Sequence, residues 1–250
     1  MNQDDIWEKY RQFTHARIGL GRTGSSMTTR QMLAFRTDHA LASDAVWADL
    51  NTDAVQAELQ NLGLDSILLN SQARDRQQYV QRPDLGRILS ESSQATLQSL
   101  PREEYEVSIT LADGLSAIAI ERNAAPLLAH LMPLLRPYRV APITIVRQGR
   151  VAISDPIGDL LGSQLSVILI GERPGLTSPY SMGAYLTYAP CSGNTDERRN
   201  CISNIRSEGL PHELAAQKLC FLIGESLRKK LSGVKLKDLF HDDRLNDAAQ

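Results

Sequence analysis

Apolar positions in the first hundred residues recur at the spacing of amphipathic helices. Thr28 and Thr29 can cap a helix whose apolar side chains, between residues 32 and 41, follow a period of about 3.6 residues. A second helix is predicted over residues 45–62. Gly63 is expected to end it, because glycine adopts the left-handed cap conformation at little cost. The N-terminal part of the chain is therefore predicted to be mostly helical.

After about Glu104 the pattern changes to short β-branched or apolar runs. Glycine, proline or charged residues end these runs, and helix-like stretches separate several of them. The run at residues 167–170 is apolar without alternation, which is typical of a parallel strand covered on both faces. A last helix is expected at residues 211–230. We predict strands at residues 107–111, 143–146, 165–170 and 185–188.

The two patterns together predict an α/β fold with two domains. A helical N-terminal domain, residues 1–100, is expected to precede a Rossmann-like, doubly wound α/β domain, residues 101–250. The second assignment follows from the alternation of strand, loop and helix beyond residue 100. Within the first domain, residues 82–87 (RPDLGR) are predicted to be a loop that enters a third helix, because proline is tolerated at an early helical position.

Composition narrows the classes of function. The chain has 27 basic and 29 acidic residues, without the basic excess typical of nucleic-acid-binding proteins. Its apolar runs are far shorter than the ~20 residues of a transmembrane helix, and its first residues do not resemble a secretory leader. Cys191, Cys201 and Cys220 form neither a disulfide framework nor a zinc-ligand spacing. We predict a cytoplasmic protein without a metal site, a nucleic-acid partner or a membrane partner.

Residues 19–24 (GLGRTG) match the GxGxxG pattern of dinucleotide-binding proteins. In a true site of this kind, the glycine pattern follows a buried strand, and an acidic residue of the site lies about 20 positions later. Only a short run, residues 16–18, precedes the pattern, and Asp38 and Asp44 lie on a polar helical stretch. We therefore interpret the glycines as a loop leading into the first long helix, not as a nicotinamide or flavin site.

Three turns follow predicted strands, and ligands of open α/β sheets bind beyond the carboxyl ends of strands. Glu172 lies in the glycine-flanked turn after residues 165–170, where a ligand site and a plain surface turn are both open. Asp113 or Ser116 is interpreted as the cap of the next helix. The turn that contains Arg150 and Val151 is interpreted, from its position alone, as a surface turn.

Cys201 has the side chain of a nucleophile but lacks a convincing base. His212 is the nearest histidine in sequence, and it begins the last predicted helix. Since a cysteine nucleophile needs a nearby base, a packed or ligand-contacting Cys201 is favoured over a catalytic one. The sequence contains no Ser-His-Asp set, paired-carboxylate site or metal constellation. No catalytic residue is therefore assigned to this chain.

Six of these segments, in the order found here, resemble the light chain of ethanolamine ammonia-lyase. The resemblance extends from about Arg17 to the last long helix, nearly the whole chain, and the six segments in order are far more specific than any one alone. The segments are RIGLGRTG (17–24), RPDLGR (82–87), DGLS (113–116), GRV (149–151), GERPGL (171–176) and CISNI (201–205).

The resemblance implies the small subunit of an enzyme that converts ethanolamine to acetaldehyde and ammonia with adenosylcobalamin. In the family a large TIM-barrel subunit holds the substrate, and the small subunit covers the cofactor at the interface of a hetero-oligomer. The family's small-subunit contacts to cobalamin match Val151, Glu172 and Cys201, and Arg150 is expected to add a polar contact beside Val151. The chain lacks the DxHxxG motif of proteins that replace the cofactor's lower ligand by histidine.

Two alternatives and one departure from the family accompany this hypothesis. The first alternative is a free-standing α/β enzyme with its site at the Glu172 turn. The second is a structural partner that never touches the cofactor. Many family members carry a longer polar N-terminal extension associated with solubility or packaging. Only about sixteen residues precede the first motif here. The resemblance thus implies a cytoplasmic protein and leaves its association with a bacterial microcompartment open.

Overall fold

A six-stranded mixed sheet forms the centre of the protein. The computed structural model describes residues 4–14, 16–101 and 103–240. The strands of these described residues are β1 (Arg22–Thr23), β2 (Ser26–Met27), β3 (Ser66–Asn70), β4 (Val107–Ala112), β5 (Ile143–Arg147), β6 (Leu165–Gly171), β7 (Met182–Tyr188) and β8 (Arg199–Ile205). The large sheet has the order β3-β5-β4-β6-β7-β8, and β1 and β2 form a separate hairpin. The first four strands of the large sheet run parallel, whereas β7 and β8 are antiparallel to their neighbours.

Helices cover both faces of this sheet. The helices of the described residues are α1 (Asp4–Arg11), α2 (Thr29–Trp47), α3 (Thr52–Asn61), α4 (Arg76–Gln81), α5 (Glu91–Gln98), α6 (Ala117–Leu134), α7 (Ser154–Leu161) and α8 (His212–Lys229). One apolar core lies between the sheet and α3, α6 and α8. The other lies between the sheet and α5 and α7. Within the described ranges, no helix is long and apolar enough to cross a bilayer.

The central strands confirm the interpretation of the apolar runs. Every residue of β4 and of β6 is buried, as expected for strands with a core on each side. The four strands and the last helix that the sequence predicts are all present, within a few residues of their expected ends. The edge strand β8 was not predicted, because its burial alternates irregularly between buried and exposed positions.

The predicted helix at residues 45–62 is wrong in its first part. The preceding helix α2, capped by the Thr28 hydroxyl as expected, continues to Trp47. The chain then breaks, and the Asn51 side chain caps α3 by accepting a hydrogen bond from the Ala54 N–H. The predicted end is confirmed: Gly63 follows the helix with a φ of 71°. Asparagine is a strong N-cap, and this signal inside an apolar pattern was missed.

The N-terminal hundred residues are not purely helical. Strand β3 comes from this part of the chain and pairs in parallel with β5 over five residues. The apolar side chain of Leu69 on β3 is buried in the core on the α5 and α7 side. A purely helical N-terminal domain is therefore not confirmed, and the division of the chain at residue 100 stays a prediction.

The structure tests the predictions for two loops, residues 82–87 and residues 19–24. The segment after Pro83 first forms a 3-10 turn, Leu85–Arg87, and the helix that follows it, α5, begins only at Glu91. The glycine pattern at residues 19–24 follows α1 and includes strand β1 of the β1–β2 hairpin, with Gly19 and Gly24 at positive φ. Among the described residues, no buried strand precedes the pattern and the next helix begins only at Thr29, so the interpretation as a loop agrees with the structure.

Candidate functional site

A cavity of about 350 Å³ opens beside the carboxyl end of β5. It brings together three of the four residues predicted to contact the cofactor. The walls are formed by Pro83, Arg87, Arg150, Val151, Ala152, Tyr185, Asp196, Arg199 and Cys201. The predicted residues come from two segments that are distant in sequence, the turn after β5 and strand β8. The fold places them in the wall of one cavity.

The Arg150–Val151 wall is held in place by a buried aspartate. Asp113, at the end of β4, accepts hydrogen bonds from the N–H groups of Gln148 (2.8 Å) and Gly149 (3.0 Å). Burial raises the pKa of this carboxyl to about 6, against the opposing charge of Arg76. The sequence interpretation of the helix cap is confirmed for Ser116, whose hydroxyl accepts from the Ala119 N–H. The role of Asp113 in fixing the turn was missed.

Arg150 lies against Tyr79, a buried residue that the sequence interpretation did not single out. The guanidinium carbon is 4.2 Å from the ring centroid, and the ring hydroxyl donates to the Gly149 carbonyl oxygen at 2.9 Å. The Arg150 N–H donates to the Gly86 carbonyl oxygen at 2.7 Å. This backbone bond joins the RPDLGR segment directly to the cavity wall.

Strand β8 and strand β7 form the opposite wall. Cys201 and Tyr185 are cross-strand partners, which places both side chains on one face of the sheet. Burial raises the pKa of the Cys201 thiol, and a hydrogen bond with Tyr185 acts in the opposite direction. His212 lines a different cavity, where its Nε2 lies 2.9 Å from Asn123 Oδ1. Among the described residues, His212 is therefore not placed as a base for Cys201.

Glu172 follows β6 and does not line the cavity itself. Its carboxylate accepts a hydrogen bond from the Ser181 hydroxyl at 2.5 Å. It also accepts one from the Asn204 N–H, with Oε2 at 3.2 Å. The charge of Glu172 is close enough to contribute to the raised pKa of Cys201. Glu172 therefore stands near the Cys201 wall, with its carboxylate oriented by two internal donors.

A buried ion pair fixes Arg199, which is part of the cavity lining. Arg199 forms a bidentate bond to the Asp155 carboxylate at 2.9 and 2.7 Å, and both side chains are only 2% exposed. The same guanidinium donates to the Thr187 hydroxyl, the Asn194 carbonyl oxygen and the Asp196 carboxylate. All five N–H donors of the arginine are therefore used, and β7, β8 and α7 are tied together.

The arrangement suits binding more than self-contained catalysis. The cavity offers arginine N–H donors, a tyrosine and a thiol beside the apolar Val151 and Pro83. In the part of the chain that the structure describes, no three His, Cys, Asp or Glu side chains are grouped to hold a metal ion. Such a surface can hold the edge of a large ligand that has apolar and amide groups.

Comparisons with known proteins agree with the resemblance found in the sequence. Residues 4–237 match the family of the ethanolamine ammonia-lyase light chain. The chain is similar to the ethanolamine ammonia-lyase small subunit of Azotobacter vinelandii, at 50% identity over 98% of this chain and 93% of that protein. It is also similar to the small subunits of Xanthomonas campestris pv. campestris, at 48%, and Pseudomonas aeruginosa, at 49%. Each of these two alignments spans 94% of this chain and 88% of the relative.

Proposed function

Because the chain belongs to the ethanolamine ammonia-lyase light chain family, we propose that it completes an adenosylcobalamin site at the interface with a large subunit. In this role it is the small subunit of an ammonia-lyase, in which the large subunit binds ethanolamine. Adenosylcobalamin supplies the radical chemistry when bound, and the protein supplies binding and orientation. This chain's own contribution is to hold the cofactor and to keep water from one of its sides.

The observation that carries the proposal is the meeting of Arg150, Val151 and Cys201 in one cavity. A cobalamin ring is edged by amide side chains, which need both donors and acceptors, and by apolar methyl groups. Arg150 supplies N–H donors, and its buried Nε has no partner among the described residues. Val151 supplies apolar surface, and the Glu172 carboxylate supplies acceptors nearby. The residues present therefore fit the proposed group.

Exposed apolar side chains support a large partner subunit. Helix α2 has 19 residues, of which only Ala45 is buried. Most of the stability of a helix in a protein comes from the packing of its apolar face, so this helix needs a surface to pack against. Its exposed large apolar residues are Met32, Leu33, Phe35, Leu41 and Trp47. A large subunit of the TIM-barrel type that the family resemblance implies is our proposed cover for this helix.

The two alternative functions receive less support. A free-standing enzyme at the Glu172 turn needs an acid and a base that face a substrate, whereas the Glu172 carboxylate accepts from Ser181 and Asn204. A purely structural partner gives no reason for the cavity that Arg150 and Cys201 share. The location that the resemblance implies, in the cytoplasm and inside or outside a microcompartment, stays a prediction.

Replacing Glu172 by glutamine is expected to weaken cobalamin binding to the assembled enzyme about tenfold, because a hydrogen bond to a charged group contributes roughly 1.5–3 kcal/mol. Glutamine preserves the size of the side chain but loses the charge and one acceptor. The measurement is the Kd for cyanocobalamin by equilibrium dialysis of the co-purified complex. The matched control is Glu197→Gln, at an exposed acidic residue of the neighbouring loop. An unchanged Kd with an intact complex would remove Glu172 from the site.

A further inference from the structure

Two arginines on the cavity wall have no acidic partner. Arg87 makes no side-chain hydrogen bond or ion pair within the described part of the chain. Among the described residues, the Arg150 side chain donates only to the Tyr79 carbonyl oxygen, at 3.3 Å. The third arginine of the wall, Arg199, is neutralised by Asp155 and Asp196. The lining therefore carries an excess of positive charge that is not paired with acidic side chains among the described residues.

The Arg150 guanidinium is short of an acceptor. Its Nε is buried and has no hydrogen-bond partner in the described structure. A buried donor without an acceptor is unfavourable, and native proteins rarely leave one unsatisfied. Stacking on the Tyr79 ring fixes the plane of the guanidinium at the cavity wall.

Backbone packing holds the two arginines at the same site. Arg87 ends the 3-10 turn Leu85–Arg87, and the preceding residue, Gly86, accepts the Arg150 N–H at 2.7 Å. A Cβ atom at Gly86 would lie 2.8 Å from Arg150 Cγ and 2.9 Å from Tyr79 Cε2. Only glycine allows this close approach. The RPDLGR segment is thus packed so that Arg87 and Arg150 line one cavity.

We propose that Arg87 and Arg150 bind the phosphodiester of the cofactor's nucleotide loop. This inference rests on the proposed cobalamin function and adds to it the chemical group that the cavity recognises. The phosphodiester, which links the corrin ring to the lower base, carries the negative charge of that loop. Guanidinium groups match phosphate oxygens in geometry and charge, because they donate parallel N–H bonds. The phosphate supplies the acceptors that Arg150 lacks and balances the charge of Arg87.

The test compares a ligand that has the nucleotide loop, which contains the phosphodiester, with one that lacks the loop. Cyanocobalamin contains the phosphodiester and the lower base, whereas cyanocobinamide lacks both and keeps the corrin amides. The Kd of each ligand is measured by equilibrium dialysis with the co-purified complex of both subunits. Arg87→Met is expected to weaken cyanocobalamin binding about tenfold and to leave cyanocobinamide binding unchanged. Arg87→Lys, which keeps the charge but loses the fork of donors, is expected to weaken cyanocobalamin binding less.

Arg82→Met is the matched control for the Arg87 variant. Arg82 belongs to the same segment, is exposed and pairs with Asp84, so its loss is expected to change neither Kd. Equal weakening of both ligands by Arg87→Met would overturn the proposal, because the residue would then act on the corrin ring or on the fold. No weakening of cyanocobalamin would overturn it as well. A wild-type complex that binds neither ligand would instead reject the cobalamin function on which the proposal rests.

Discussion

Replacing Asp155 by alanine is expected to lower the free energy of unfolding of this chain by about 3–5 kcal/mol. The change leaves Arg199 as a buried cation without its bidentate partner, and the arginine is only 2% exposed. Asp196 remains as a ligand, but its own side chain is 92% exposed, so solvent screens that attraction. The dominant cost is therefore the uncompensated charge.

The measurement is a urea series on the co-purified complex, with brief proteolysis at each concentration and quantitation of the intact small subunit. Asp159→Ala is the matched control, because Asp159 lies one turn further along α7 and is exposed. The double variant Asp155→Ala with Arg199→Leu is expected to be less destabilised than the two single changes summed, since it leaves no buried charge. Equal stability of Asp155→Ala and Asp159→Ala would contradict this account of the pair.

Replacing Gly171 by alanine is expected to destabilise the chain by roughly 1–3 kcal/mol or more, because the added methyl group has no space. A Cβ atom at this position would lie 2.1 Å from the Ser116 carbonyl oxygen and 2.5 Å from that of Asp113. Both are backbone atoms of the turn between β4 and α6, which cannot rotate away as a side chain can. The turn has to shift, and with it Asp113, which fixes the Gly149 backbone beside Arg150.

Two readouts are expected to change together in the Gly171→Ala variant: the urea midpoint of the small subunit in the complex and the Kd for cyanocobalamin. Gly175→Ala is the control, because its Cβ would lie 2.8 Å from the Ser178 hydroxyl, while the Ser178 backbone atoms are 3.9 Å away. A serine side chain can move aside at small cost. A Gly171→Ala variant with the stability of Gly175→Ala would show that the turn is not tightly packed.

The sequence predicts the centre of the fold better than its edges. Runs such as residues 165–170 are apolar on both faces, so burial alone identifies them as central strands. Strand β3 is short and lies at the edge of the sheet, and its burial is mixed, so it carries no such signal. The break before α3 depends on a single asparagine cap inside a helical pattern. Periodicity cannot locate a break of this kind.

The site was predictable only where a family motif marks it. Arg150, Val151 and Cys201 lie in such motifs, and the structure brings them to one cavity. Tyr79 carries no motif, because an aromatic residue in a short helix looks like ordinary core. Asp113 was noticed, but its binding to the turn after β5 depends on the order of strands in the sheet. Long-range pairings of this kind are set by topology, and a single sequence does not contain them.

The most direct test of the central claim is cobalamin binding by three samples: this chain alone, the large subunit alone, and the two together. Equilibrium dialysis with cyanocobalamin is the measurement, and ethanolamine-dependent acetaldehyde release with adenosylcobalamin accompanies it. We predict tight binding and product formation only in the mixture, because this chain supplies one wall of a shared site. Equally tight binding by the large subunit alone would contradict the account and leave this chain a structural role.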